Sequence, residues 1–447
     1  MESKTSNLYL KTMGATNIPV TCKRMVRVAV LCFVTTSFSQ NITFPDPNFE
    51  SALVNTLCAS VTEPCLAESD VDYNNNGTIQ ISEAEFTFNL CLVDLDIASL
   101  EGIENFTNLQ TLTCVFNDLK NLDISAITGI RELNCESNSL TNINLDANLN
   151  LRKLIVNNNP LKSLDVSLLS ELEILDAIAI GLGQLDISHN TELKMLGCGY
   201  NNLNVIDITN NSVLEKIFIA NNNISKIDVS NNHGLLQMNL DNNPISQVDV
   251  SNLPSLEVIS LRNTIISSLD LSNNTHLTSV AVANTPLQGI FDFSTHPNLN
   301  TVLFNNTNIS GLDMRNRNND VFIIRVKDTP NLNCVAVDDP SVIDPFEFPY
   351  SEWEYDDNMV FSTDCSLGVQ KQALADIVLY PNPVKDKLFV KNTTHAINLV
   401  KIYTVEGKLV IEERLLNAID LSSLNTGKYL AKVETDSGTA IRKFIKE

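Results

Sequence analysis

Residues 72–83 read Asp72-Tyr73-Asn74-Asn75-Asn76-Gly77-Thr78-Ile79-Gln80-Ile81-Ser82-Glu83, with oxygen-bearing side chains at the first, third, fifth and last places of a twelve-residue run. That is the spacing of an EF-hand calcium loop. Calcium needs about seven oxygens. Asp72, Asn74 and Asn76 would offer side-chain oxygens, Thr78 its carbonyl, Glu83 two carboxylate oxygens, and Gln80 a water. Gly77 permits the sharp turn. With two carboxylates among the ligands, affinity is expected in the weak range of extracellular modules. Ala84 stands where such loops usually carry a larger apolar residue. The competing reading is a plain Asn/Gly-rich turn.

A second set of acids recurs at long range: Asp123, Asp165, Asp186, Asp207, Asp228, Asp249, Asp270, Asp292 and Asp313, with Asn144 replacing one member. Ser or Thr mostly follows two places on. Unit charges about 5 Å apart repel by about 0.8 kcal/mol even in water. The favoured account is that each Asp or Ser caps a turn through backbone N–H groups. A row of bound cations is the alternative. The five His residues, at 189, 233, 276, 296 and 395, show no zinc spacing and no nucleophile elbow. No phosphate-binding glycine loop is present. No enzyme is expected.

These residues need a scaffold, and a repeat supplies it. From Leu109, Leu112, Cys114 and Asn117 the pattern Leu-x-x-Leu-x-apolar-x-x-Asn returns at Ile130, Leu151, Leu172, Leu193, Leu214, Leu235, Leu256 and Leu277, 21 residues apart each time. Units at Leu299 and Val321 follow at 22, and an irregular one runs through Val93, Leu95 and Ile97. About a dozen coils result. The apolar positions must stack inward, and the short central stretch must pair as a parallel strand with its neighbours, about 4.8 Å away. The Asn at each strand end (Asn117, Asn138, Asn159, Asn201, Asn222, Asn243) satisfies turn backbone groups that have no ladder partner. Ile180, Thr264, Thr285 and Thr307 break that column.

These residues resemble the leucine-rich-repeat family over about residues 90–335. The short unit with Leu-Asp-Ile/Val-Ser on its return side is similar to secreted proteins of the Bacteroidetes. Phe44-Pro45-Asp46-Pro47-Asn48-Phe49 and Ser82-Glu83-Ala84-Glu85 resemble the entry cap of the same proteins, with a short helix near Phe49 to Leu57 covering the first coil.

The ends carry different signals. Lys23, Arg24 and Arg27 precede the apolar run Val28–Val34, and Ser37 and Ser39 sit at cleavage spacing, so residues 1–39 read as an export signal with an N-terminal extension. That run is too short to span a bilayer, and no other segment suffices. Cysteine use fits export. Two of Cys58, Cys65 and Cys91 are expected to pair, Cys334 and Cys365 are expected to bridge around Trp353, and Cys114, Cys135 and Cys198 are expected as buried thiols. Past residue 370 come Tyr380-Pro381-Asn382-Pro383, a Glu406-Gly407 turn, Leu424-x-x-Gly427-x-Tyr429 and a basic ending, in some seven short alternating strands. This stretch looks like the type A C-terminal sorting domain of the type IX secretion system. The resemblance implies that machinery as a partner, and passage to the cell surface or medium.

The fold class expected is therefore mainly β. It comprises a leucine-rich-repeat solenoid with parallel short strands, a small helical N-terminal cap and a C-terminal β-sandwich. The expected divisions are 1–39, a cap at 40–90, repeats at 91–335, a second cap at 336–369 and the sorting domain at 370–447. Net charge is −23, and residues 41–369 alone carry −30, which disfavours nucleic acid or an anionic membrane as partner. Function should then lie on the concave face, at Ile155, Ile178, Tyr200, Phe218, Val258, Arg262, Leu303 and Arg325, with an extracellular protein or glycan as ligand. A calcium-stabilised surface-layer or matrix component is the alternative role.

Overall fold

A computed structural model describes residues 40–60, 68–318, 323–365, 377–391, 397–405, 407–414, 418–435 and 438–447. The export-signal reading of residues 1–39 lies outside them.

Each coil places one three-residue strand on a common sheet, and the central residue of each points inward. Leu112, Leu133, Leu154, Leu175, Leu196, Ile217, Met238, Ile259, Val280, Val302 and Ile324 stand in register, strand by parallel strand. All of them are buried to 1% exposure or less. Leu154 is typical: it is buried, while Lys153 and Ile155 beside it are half-buried on the outer face. Burying one such side chain contributes about 2 kcal/mol. Thirteen strands make this sheet among the described residues. Its first edge is closed by Ala59–Ser60, which pairs antiparallel with Asn89–Leu90.

The entry helix runs Pro47–Asn55, two residues earlier than expected. Asp46 is the reason. One carboxylate oxygen accepts the Asn48 and Phe49 amides and so starts the helix. The other accepts the Ala98 and Ser99 amides, which fastens the cap to the first coils. Phe49, Ala52 and Leu53 are buried beneath it.

The strand-end asparagines do what the repeat requires. The Asn159 amide donates to the carbonyls of Cys135, Val156 and Asn157, and its oxygen accepts the Leu140 amide. Thr264, Thr285 and Thr307 each keep one bond, to the carbonyl three residues back. Ile180 keeps none, but the Asn201 oxygen reaches both the Ile180 and Leu182 amides.

The return side settles the Asp column as caps. All nine aspartates accept the amide of the residue two places on, at 2.9–3.0 Å. The Ser125 hydroxyl and amide hold Asp123 below the usual carboxylate range, and the Ser188 pair does the same for Asp186.

Beneath them lies a second buried ladder that sequence reading did not single out. Asn148, Asn190, Asn211, Asn232 and Asn274 are fully buried. Each donates to two carbonyls of the preceding coil at 2.7–3.1 Å. His296 takes the next rung, with Nε2 3.1 Å from the Leu271 carbonyl, and burial lowers its pKa. Its role is structural. A visible signal existed, since Asn recurs four residues after Asp186, Asp207, Asp228 and Asp270.

Towards the C-terminus the return side itself becomes a parallel sheet, through Gln288–Asp292, Asn308–Met314, Cys334–Val337 and Val360–Ser362. Cys334 and Cys365 are bonded. Trp353 packs edge-on to Tyr350 at 5.0 Å and against Phe361. Cys91 is also in a disulfide, whose partner lies outside the described residues, as Cys65 does. Cys58 is a free buried thiol. Cys114, Cys135 and Cys198 are free and buried, and burial pushes the Cys135 and Cys198 thiols up to about 12.

Seven strands are described after residue 377. Three form a small antiparallel sheet, and four continue the return-side sheet, where Phe361 faces Thr439 antiparallel. Leu388, Ile402, Leu421, Val433 and Phe444 fill the core between them. Asn382 of the Tyr-Pro-Asn-Pro run pins the last strand by accepting the Ile445 amide at 2.9 Å.

Candidate functional site: the concave face

The outer face of the thirteen-stranded sheet is set by strand periodicity: the first and third residues of each strand, and the residue two places further on, lie on it. Ile155, Phe218, Leu303 and Arg325 are third residues of their strands, and Val258 is a first. Ile178 and Arg262 lie two places beyond their strands. Tyr200 does not share the flat part of the face. It sits at the corner three residues past Met195–Gly197, with φ +55°.

That corner is left-handed in nearly every coil. Asn158, Asn221, Asn242, Asn263, Asn284 and Asn306 occupy it, as Asn tolerates this conformation best after Gly. Tyr200 and Phe116 are aromatic residues in the same place, 65% and 56% exposed. They gain little burial and pay backbone strain.

Near the C-terminal end the face opens into a groove of about 420 Å³, lined by Asp241, Arg262, Ala283, Leu303, Asn305 and Arg325. A short Ala283 between Arg262 and Asn305 leaves the space. Asp241 organises one wall. It is buried, accepts the Ser260 hydroxyl at 2.6 Å and the Arg262 amide at 2.7 Å, and binds the Arg262 guanidinium through Nε and a terminal nitrogen at 2.8 and 2.7 Å. Arg325 sits 3.4 Å from Glu354, which also accepts from Asn305. An exposed amide ladder forms the rim: Asn263 donates to Asn242, Asn284 to Asn263, and Asn306 to Asn284. Three expected residues, Arg262, Leu303 and Arg325, thus meet in one groove. Asp241 and Glu354 were missed. For Asp241 a signal was present, because it lies 21 residues, one coil, before Arg262.

Further towards the N-terminus, Asp176 follows Ile155 in the same column, two places before Ile178 and next to Gly197 of the following coil. One of its carboxylate oxygens is buried without a partner among the described residues. Burial pushes its pKa up to about 6; the Asn157 amide lowers it and the Glu136 charge raises it. The folded chain therefore holds this proton more tightly than the unfolded one, whose value is 3.8. Stability from this group is present below pH 4 and is lost as pH rises to about 6. Asp176→Asn should be about 2 kcal/mol more stable than the parent above pH 7 and equal to it at pH 4. Urea melts at both pH values check this; an equal midpoint at pH 8 would refute it.

Of the histidines, His189, His233 and His276 are exposed on return turns, where they touch Ser188 or backbone carbonyls. His395 lies outside the described residues.

In the 72–83 loop, Asp72 accepts the Asn76 and Gly77 amides, and Glu83 accepts the Asn74 and Gln80 amides. The side chains of Asn74, Asn76 and Gln80 and both oxygens of Thr78 gather inside it.

This architecture is a leucine-rich-repeat solenoid, with a β-structured tail joined to its last coils. Residues 378–447 match the family described as the secretion system C-terminal sorting domain, and such a tail implies export to the cell surface or the medium. The described residues contain no helix long and apolar enough to cross a membrane. No curated protein matches the chain significantly. Among solved structures, the chain is similar to the functional domain of InlJ from Listeria monocytogenes, which includes a cysteine ladder. Identity is 20%, coverage is 92% of this chain and 99% of that one, and the TM-score is 0.58. An internalin, InlF, of the same organism is 20% identical over 72% of this chain and 96% of its own, with a TM-score of 0.49. A leucine-rich-repeat protein of Leptospira interrogans is 18% identical over 62% and 85%, with a TM-score of 0.48. At 20% identity the likeness to the InlJ domain is one of fold.

Proposed function

We propose that this chain is an exported binding protein that captures an extracellular protein or glycan on its concave face, between Ile155 and Arg325, rather than an enzyme. One observation carries the reading: Tyr200 stands 65% exposed in a left-handed corner that six other coils fill with Asn. Neither burial nor backbone preference accounts for a tyrosine there, and contact with a partner does. Phe218 on the adjoining coil and the Arg262–Arg325 groove extend the same face, so the ligand meets aromatic surface first and guanidinium groups beyond it. The tail would deliver the protein through the type IX machinery.

A glycan and protein array probed with the chain from Gln40 to Glu447 should yield a ligand. Changing Tyr200 and Phe218 together to Ala should weaken its capture 10- to 100-fold. Tyr200→Asn restores the corner's preferred residue, so it should weaken binding while adding about 0.5–1 kcal/mol of stability. Unchanged capture by both variants would move the site off this face.

A further inference from the structure

Between Arg27 and Lys120 the sequence holds thirteen acidic residues and no Lys, Arg or His. Two of those acids, Asp72 and Glu83, are 3% and 6% exposed. Their described partners are backbone amides alone. Two buried negative charges without a counter-charge are costly, and the cap has no cation of its own to offer.

The interior of the loop points to what is needed. Four oxygens converge on the side-chain nitrogen of Gln80: the Thr78 carbonyl and hydroxyl, both at 2.9 Å, the Asn76 side chain at 3.2 Å, and the Asn41 side chain at 3.4 Å. An amide nitrogen has two hydrogens and cannot satisfy four acceptors. A half-turn of that amide would bring a fifth oxygen to the same spot. Among the described residues no three His, Cys, Asp or Glu side chains gather as a metal site. The donors here are amide, hydroxyl, carbonyl and two carboxylates, a hard-oxygen set that suits calcium and does not suit zinc or copper.

We propose that residues 72–83 and Asn41 form a calcium site whose occupancy latches the N-terminal cap shut. Asp72, Asn74, Asn76, the Thr78 carbonyl and Glu83 supply the core ligands, and the Asn41 side chain completes the shell. Two carboxylates balance one divalent charge. The latch follows from the loop's neighbours. Ile42 donates to the Ile79 carbonyl, Ile81 to the Gln40 carbonyl, and Val71 to the Leu53 carbonyl at the end of the entry helix. Asn108 of the first regular coil donates to the Glu85 carbonyl just beyond the loop. The ion would tie the chain's start, the entry helix and the first coils at one point, and a solenoid depends on its terminal caps.

The test uses the chain from Gln40 to Glu447, stripped with EDTA. Calcium at 1–5 mM should raise the midpoint of cap opening by about 3–5 °C. It should also slow hydrogen exchange in residues 40–60 and 68–118, leave later coils unchanged, and exceed magnesium at equal concentration. Terbium should bind with emission sensitised by Tyr73. Glu83→Gln should abolish the response. Should that variant fail to fold, Asn41→Ala keeps both carboxylates and should weaken calcium binding several-fold. No midpoint shift and no terbium emission up to 10 mM would overturn the proposal, as would an equal response to magnesium or a full response in Asn41→Ala.

Discussion

Asn159→Ala is expected to destabilise the solenoid by about 3 kcal/mol or more, a loss out of proportion to the atoms removed. Asn159 is 2% exposed, and its side chain makes four hydrogen bonds to backbone groups on its own coil and the one before it. Truncation takes the partner from the Val156 carbonyl and the Leu140 amide in the interior, while the Cys135 carbonyl keeps the Asn138 side chain and the Asn157 carbonyl keeps the Ser137 amide. Each such group costs about 1–3 kcal/mol, partly relieved where water can enter. The comparison that isolates the cause is Thr285→Ala. Thr285 is as buried but makes one bond, to the Val282 carbonyl, so its loss should be about 1 kcal/mol. Hydrogen exchange should localise the Asn159 effect to amides 133–160, because each coil touches only its neighbours. Equal losses for the two variants would mean that packed side-chain volume, not backbone satisfaction, sets the stability of the strand ends.

Replacing Cys334 and Cys365 together by Ser should weaken the C-terminal end by about 3–4 kcal/mol, on the loop-closure account for a separation of 31 residues. The bridge closes a segment whose two ends pair as parallel strands, Cys334–Ala336 with Val360–Ser362. The tail's sheet then continues from the second of these. Trp353, the sole tryptophan of the chain, lies inside the closed segment against Phe361. Its fluorescence therefore reports this end alone. In the variant the tryptophan transition should move to clearly lower urea, while the far-ultraviolet signal from the earlier coils stays near the parent's. A tryptophan midpoint within about 0.5 kcal/mol of the parent would show that strand pairing, without the bridge, already holds the end closed.

The sequence by itself determined the solenoid, its unit length, the inward leucine register, the first amide ladder, the bridge between Cys334 and Cys365 and the sorting tail. Each is a local or strictly periodic property: a residue type returning every 21 or 22 places must stack on itself. It also placed Arg262, Leu303 and Arg325 on one face, since side-chain alternation along a strand is fixed. What only the tertiary structure decided are meetings between coils or between ends. The Asp241–Arg262 pair, the Glu354 contact with Arg325, His296 standing in for an asparagine, Asn41 reaching Gln80, and the tail's strands extending the return-side sheet all join residues that no local pattern links. Tyr200 shows the same limit. Its place in the repeat was legible, but the left-handed corner that makes an exposed tyrosine costly arises only once the coil closes against the next.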